Sequence, residues 1–179
     1  MKKTIKVLAI SIGLVLGTVS TQISAHAVTN NATVRPVLKN PIMNTSSIVG
    51  FKIIKVLVQD NTDPKSGVAV SDRLAIRIRN TTAKTINSFE IFYTMVDQVT
   101  KRSESYYQKL INFSIPANSM GYLDFDNSKG IGHFPENKYS IYRNSKNKVT
   151  FTIELSATGF KPMYATAVKA KGTTEDPNA

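Results

Sequence analysis

Arg73-Leu74-Ala75-Ile76-Arg77-Ile78-Arg79 alternates without a slip. Leu74, Ile76 and Ile78 fall on one side of an extended chain, and Arg73, Ala75, Arg77 and Arg79 fall on the other. That is the period-two signature of a strand with one face in a core and one face in water. Val149-Thr150-Phe151-Thr152-Ile153-Glu154-Leu155 repeats the pattern with equal regularity. Two such segments so far apart in the chain predict an antiparallel all-β body.

Further strands are expected on both sides of these two. From Ile48, the residues Val49, Phe51 and Ile53 alternate with Gly50 and Lys52, and the apolar run resumes at Leu57-Val58 across a bulge. Val68 to Arg79 is the first clean strand, closed by Asn80-Thr81-Thr82. Phe89 to Val96 is apolar on both faces, as in a central strand. Tyr106 to Phe113 and Gly121 to Phe125 follow, separated by the Ile115-Pro116-Ala117-Asn118-Ser119 turn. Lys148 to Ser156 is the second clean strand, and Tyr164 to Lys171 supplies an edge. Asp126 to Asn147 is irregular, with a short strand or turn expected around Tyr139 to Tyr142. No window has a helical period. About seven short strands predict an antiparallel β-sandwich of immunoglobulin-like type over residues 48–171, with a closed barrel as the alternative. Residues 28–47, broken by Pro36 and Pro41, read as an extended arm or linker, and residues 172–179 as a loose tail.

The first 27 residues read differently. Lys2, Lys3 and Lys6 precede the apolar run Val7 to Val19, and Ala25-His26-Ala27 is a small-residue cleavage site. This order predicts a cleavable secretory signal. The apolar run is shorter than the roughly 20 residues that span a bilayer, so no transmembrane anchor is expected. The expected location is secreted or extracellular, or periplasmic if the source has an outer membrane. Removing 27 of 179 residues leaves 152, enough for one cored domain. The loss of three lysines lowers the net charge from +11 to +8. A basic exported protein favours anionic envelope polymers. Export and the lack of a dense Lys/Arg block argue against nucleic acid.

Catalysis finds few materials. The chain has no Cys, and His133 is its one His beyond the signal. Cys-His chemistry and multi-His metal sites are therefore excluded, and there is no Gly-x-Ser-x-Gly elbow. Asp124 and Asp126 lie on one strand face, roughly 6.6 to 6.8 Å apart; a glycosidase needs two carboxylates flanking a cleft. Asp124-x-Asp126-x-Ser128 spaces oxygens as a calcium loop does, but Lys129 and Pro135 stand where an EF-type loop needs Gly and Glu. Calcium would need another geometry there or at Asp60-Asn61-Thr62-Asp63, and no cofactor is expected. The chain is expected not to be an enzyme.

Leu74 to Asn80, Phe89-Glu90-Ile91-Phe92-Tyr93, Ile115-Pro116-Ala117-Asn118 and Val149 to Ile153 together resemble, over roughly residues 46–170, bacterial extracellular immunoglobulin/fibronectin-like β-sandwich modules of the carbohydrate-binding type. The resemblance implies the fold and the class of binding module. It departs from that pattern in having no Trp, the usual sugar-stacking residue, and no catalytic domain within these 179 residues.

Two ligand surfaces are expected. Tyr122 shares a face with Asp124 and Asp126, and Tyr106, Tyr107, His133 and Tyr142 are candidates to join it in stacking and hydrogen bonding to a sugar. Arg73, Arg77 and Arg79 form a stripe suited to sulfate, phosphate or carboxylate; as a merely solvated face they would pair with acids such as Glu90. The expected function is a secreted non-catalytic module that binds carbohydrate or an anionic cell-surface polymer. The alternatives are a structural or protein-interaction sandwich of the envelope or matrix, and a small secreted hydrolase.

Overall fold

The computed structural model describes residues 35–59, 65, 73–137 and 140–172. The expected signal and the loop around Asp60 to Asp63 lie outside them. The elements are β1 (Arg35–Pro36), β2 (Phe51–Gln59), β3 (Arg73–Asn80), β4 (Phe89–Asp97), β5 (Ser103–Leu110), β6 (Met120–Phe125), β7 (His133–Phe134), α1 (Ile141–Asn144), β8 (Val149–Ala157) and β9 (Phe160–Lys169). Seven are full strands and two are two-residue edges. They form a five-stranded sheet in the order β1-β5-β4-β8-β9 and a four-stranded sheet in the order β2-β3-β6-β7. All pairings are antiparallel except the short β6–β7 contact.

The fold is an all-β sandwich, and alternation explains it. Leu74, Ile76 and Ile78 of β3 turn inward with Leu123 and Phe125 of β6. They meet Ile91, Tyr93 and Met95 of β4 and Phe151, Ile153 and Leu155 of β8. Burial of each such side chain contributes about 1.5–3 kcal/mol. β4 lies between β5 and β8; Ile91, Tyr93 and Met95 face the core, while Phe92, Thr94 and Val96 on its outer face are half-buried. Asn80 ends β3 as a saturated hub. Its amide donates to the carbonyls of Lys84, Ile115 and Pro116, and its Oδ1 accepts from Thr82 N–H and Thr82 Oγ1.

Three segments take a more definite form than the sequence pattern predicts. Where it is described, the extended arm is docked on the sandwich: Arg35–Pro36 pairs with Tyr106–Tyr107. Beyond it, Asn44 Nδ2 donates to Ser156 Oγ and to the carbonyls of Ala157 and Phe160. Asn40 Nδ2 donates to Glu154 Oε2. The short element near Tyr142, expected as a strand or a turn, is one helical turn. Its last carbonyls are reached by the ammonium of Lys169, which is buried and donates to Tyr142 O at 3.1 Å and to Ser145 O. Finally, His133–Phe134 forms an edge strand parallel to β6, after a loop that doubles back through left-handed Asn127, Gly130 and Gly132.

Candidate functional site

The outer face of the four-stranded sheet gathers most of the residues picked out from the sequence. β3 carries Arg73, Ala75, Arg77 and Arg79 outward. The β2–β3 register sets Lys52 opposite Arg79, Lys55 opposite Arg77 and Gln59 opposite Arg73. A register shift between Ile53 and Lys55 makes this possible. The bulge absorbs one residue, so Lys52 and Lys55 share the outer face although three positions apart. On the other flank, Tyr122 stands opposite Arg77 and Asp124 opposite Ala75, and His133 follows next to Asp124.

Arg77 organises the middle of this face. Its Nη1 and Nη2 both donate to Asp124 Oδ1 at 3.1 Å, and Nη1 also donates to Leu123 O at 3.3 Å. Its guanidinium carbon lies 5.2 Å from the centroid of the Tyr122 ring, a cation–π contact. Tyr122 is 56 % exposed, so one ring face remains open. Arg73 Nε donates to Gln59 Oε1 at 2.6 Å and lies 3.9 Å from Asp124 Oδ1. At the margin, His133 Nδ1 sits 3.0 Å from both Asp126 oxygens, and Ser128 N–H donates to Asp126 Oδ1. Lys52, Lys55, Arg73, Arg77 and Arg79 thus share one face with one carboxylate, Asp124, on β2, β3 and β6. Like charges set opposite one another across strands are destabilising, so this grouping does not serve the stability of the sheet.

The structure redistributes the tyrosines. Tyr106 is buried, its ring stacked 5.6 Å from Tyr93 and its hydroxyl donating to Glu104. Its strand parity, shared with Leu110, points it into the core. Burial, followed by Glu104, pushes its phenol up to about 12. Tyr107 has the opposite parity and lies on the outer face of the five-stranded sheet, donating to Glu90 at 2.7 Å. Burial and then Glu90 push it also to about 12. Tyr142 is fully buried against Phe151. The four tyrosines therefore do not make one stacking platform; Tyr122 alone of them is on the basic face. Glu90, expected as a partner for the arginines, is on the opposite sheet, and Asp124 takes that place.

Lys52, Lys55 and Gln59 are members of this face that the sequence pattern did not single out. Their positions depend on register and on the bulge, which no local residue preference marks. Among the described residues, no three His, Asp or Glu side chains converge as metal ligands. Asp124 is engaged by Arg77 and Asp126 by His133, so the spacing of the supposed calcium ligands does not bring them to one point. Two clefts, of about 570 and 460 Å³, lie elsewhere: one beside Ser88, Glu90 and Lys109, the other beside Asp97, Arg102 and Asn147. No described helix is long and apolar enough to cross a membrane.

No family model matches the sequence, and no curated protein matches it. Among solved structures, the chain is similar to the Northeast Structural Genomics Consortium target SoR45, with 10 % identity and a TM-score of 0.44 over 71 % of this chain and 91 % of that one. It is similar to the sporulation control protein Spo0M of Bacillus subtilis, with 11 % identity and a TM-score of 0.34 over 68 % of this chain and 49 % of that one. It is also similar to the ApaA protein of Bordetella pertussis, with 11 % identity and a TM-score of 0.37 over 71 % and 99 %.

Proposed function

We propose that this chain is an exported, non-catalytic sandwich of immunoglobulin-like type that binds an anionic cell-surface polymer through the outer face of its four-stranded sheet. The carrying observation is that Lys52, Lys55, Arg73, Arg77 and Arg79 share the face that carries the exposed Tyr122 ring, which Arg77 meets in a cation–π contact, with Asp124 the one acid among them. Arginine forks suit carboxylate, sulfate or phosphate. A field of one sign raises the local concentration of an oppositely charged polymer. The immunoglobulin-like reading is supported by the strand order. β2, β3, β6 and β7 form one sheet while β1, β5, β4, β8 and β9 form the other, so the chain crosses between sheets after β1, β3, β5 and β7. The basic leader with its small-residue cleavage site supports export.

Retention of the purified protein on insoluble anionic and neutral polysaccharides, measured across a salt series, tests the reading. Retention on the anionic matrix should fall as salt rises. The Lys55→Ala/Arg79→Ala double variant should elute at distinctly lower salt. Equal retention of the double variant and the parent would overturn it. A structural or protein-interaction role is favoured by one separate observation: Tyr164 and Val168 are exposed on β9, at the edge of the five-stranded sheet. Concentration-dependent light scattering that a Tyr164→Lys variant abolishes would select that role.

A further inference from the structure

The β4–β5 turn and the segment after α1 meet at an open cleft of about 460 Å³, lined by Thr100 and Arg102 of the turn and by Asn144, Lys146 and Asn147 of the segment. Asp97 is the one acid that lines it. Its carboxylate already accepts from the N–H groups of Val99 and Thr100, from Ser145 Oγ and from Asn147 Nδ2. Both oxygens are therefore taken up by the walls. The donors that remain are not matched. Arg102 is 73 % exposed along its side chain, and its near carboxylate, Glu104 Oε1, stands 3.7 Å from Nη2, beyond hydrogen-bond distance. Lys146 is exposed and has no ion pair among the described residues. Thr100 Oγ1 accepts from Arg102 N–H at 3.4 Å and keeps its own proton. Lys101 and Lys148 adjoin these residues in the chain, and both are exposed. Lys101 has a φ of +61°, a left-handed conformation that the other described non-glycine cases give to Ser88 and three asparagines. A cation thus stands in the turn where glycine or asparagine fits with less strain.

We infer that this cleft binds a phosphate monoester, with the Arg102 guanidinium and the Lys146 ammonium as its cations and the Thr100 hydroxyl as a third donor. The site is separate from the basic sheet face, because Asp97 ends β4 and Ser103 begins β5 in the opposite sheet. A metal cation is not served here: it needs free carboxylate lone pairs, and those of Asp97 are occupied. A neutral sugar finds donors but no free carboxylate to accept from its hydroxyls. An oxyanion with two charges and three acceptor oxygens answers both cations and the hydroxyl together. The cleft is also far larger than a bare ion and falls in the range of small-molecule sites, which leaves room for the organic group that bears the phosphate.

Three probes at constant ionic strength test it: glucose 6-phosphate, glucose and acetate. In NMR titrations, glucose 6-phosphate should shift the backbone amide signals of Thr100, Arg102 and Asn147 saturably, and glucose should not. Acetate, with one charge and two oxygens, should bind at least about tenfold more weakly. The Arg102→Gln/Lys146→Gln double variant should lose at least about tenfold in affinity for glucose 6-phosphate. Neither side chain holds a bond to Asp97, so an unchanged urea midpoint should show that this variant folds as the parent does. Lys55→Ala/Arg79→Ala on the sheet face should leave the titration as it is. No saturable shift with glucose 6-phosphate, or an equal affinity in the Arg102/Lys146 variant, would overturn the site. Acetate or glucose binding as tightly as glucose 6-phosphate would overturn its assignment to phosphate. Loss of the titration in the Lys55/Arg79 variant alone would overturn its separation from the basic face.

Discussion

The hydroxyl of Tyr142 engages both backbone polar groups of Arg73, accepting from its N–H at 3.0 Å and donating to its carbonyl at 2.9 Å. A side chain from the core thus takes the place of a neighbouring strand at the start of β3. It fixes the residue whose guanidinium reaches Gln59 and Asp124. Tyr142 therefore acts on the basic face through Arg73, from beneath the sheet.

Tyr142→Phe keeps the ring against Phe151 and deletes only the hydroxyl. Two part-buried backbone groups lose their partner, at a cost of about 1–3 kcal/mol. Urea unfolding should show that loss with an unchanged slope, meaning the same surface exposed. Affinity for an anionic polymer should fall several-fold in the folded variant. Unaltered affinity would show that the start of β3 does not need this clamp to hold Arg73.

Asp97 ties the β4–β5 turn to the segment after α1. Its carboxylate accepts from Ser145 Oγ, from the N–H groups of Val99 and Thr100, and from Asn147 Nδ2. The Ser145 hydroxyl first, then the Thr100 N–H, hold it well below the usual carboxylate range, outweighing burial. A carboxylate depressed in the folded state stabilises above its ordinary value and loses that effect as pH falls through and below it. Thermal midpoints should therefore decline as the pH is lowered from about 5. Asp97→Asn should start less stable at pH 7 and show a shallower decline. A decline as steep as the parent's would place the acid sensitivity elsewhere.

The alkaline side has the opposite sign. Tyr93 is raised well above its ordinary value, chiefly by burial, while Tyr106 and Tyr107 are pushed to about 12. Phenols raised in the folded state stabilise fully below about pH 10, and the effect is lost as pH climbs from there through about 12. Urea midpoints measured from pH 8 to 11.5 should fall at the upper end. Tyr107→Phe, which removes the hydroxyl donating to Glu90, should flatten part of that fall with little change at pH 8.

Period two was enough to put Arg73, Arg77 and Arg79 on one side of β3 and Leu74, Ile76 and Ile78 on the other, because it depends only on the chain's own geometry. It also showed that Tyr106 and Tyr107 must face opposite ways. It could not say which of them faces the core, since that depends on the sheet packed against β5. Nor could it place Lys55 and Tyr122 on either side of Arg77, which is a matter of pairing between segments far apart in sequence. The bulge at Ile54 turned Lys52 and Lys55 to one face without any signal from residue type. The single turn that carries Tyr142 is too short to have a period at all, so this tyrosine, a candidate for the ligand surface, is found with its hydroxyl beneath β3.

Gly132 is where the loop after β6 presses against the sheet. Its φ is +85°, and a Cβ there would stand 2.3 Å from the Tyr122 carbonyl oxygen. Its own carbonyl accepts from Asp124 N–H at 2.8 Å, so the contact cannot open without freeing β7. Gly159 provides the comparison. Its φ is +82°, almost the same, but nothing lies within 4 Å of a Cβ built there. Gly159→Ala should therefore cost only the left-handed penalty, about 1–2 kcal/mol. Gly132→Ala carries that penalty plus the backbone clash, and should be the more destabilising of the two in urea. It should also shift the His133 ring signals in NMR spectra, because β7 must move away from β6 and Asp126. Equal costs at the two glycines would mean that β7 yields freely, and that His133 is not held at the margin of the basic face by this contact.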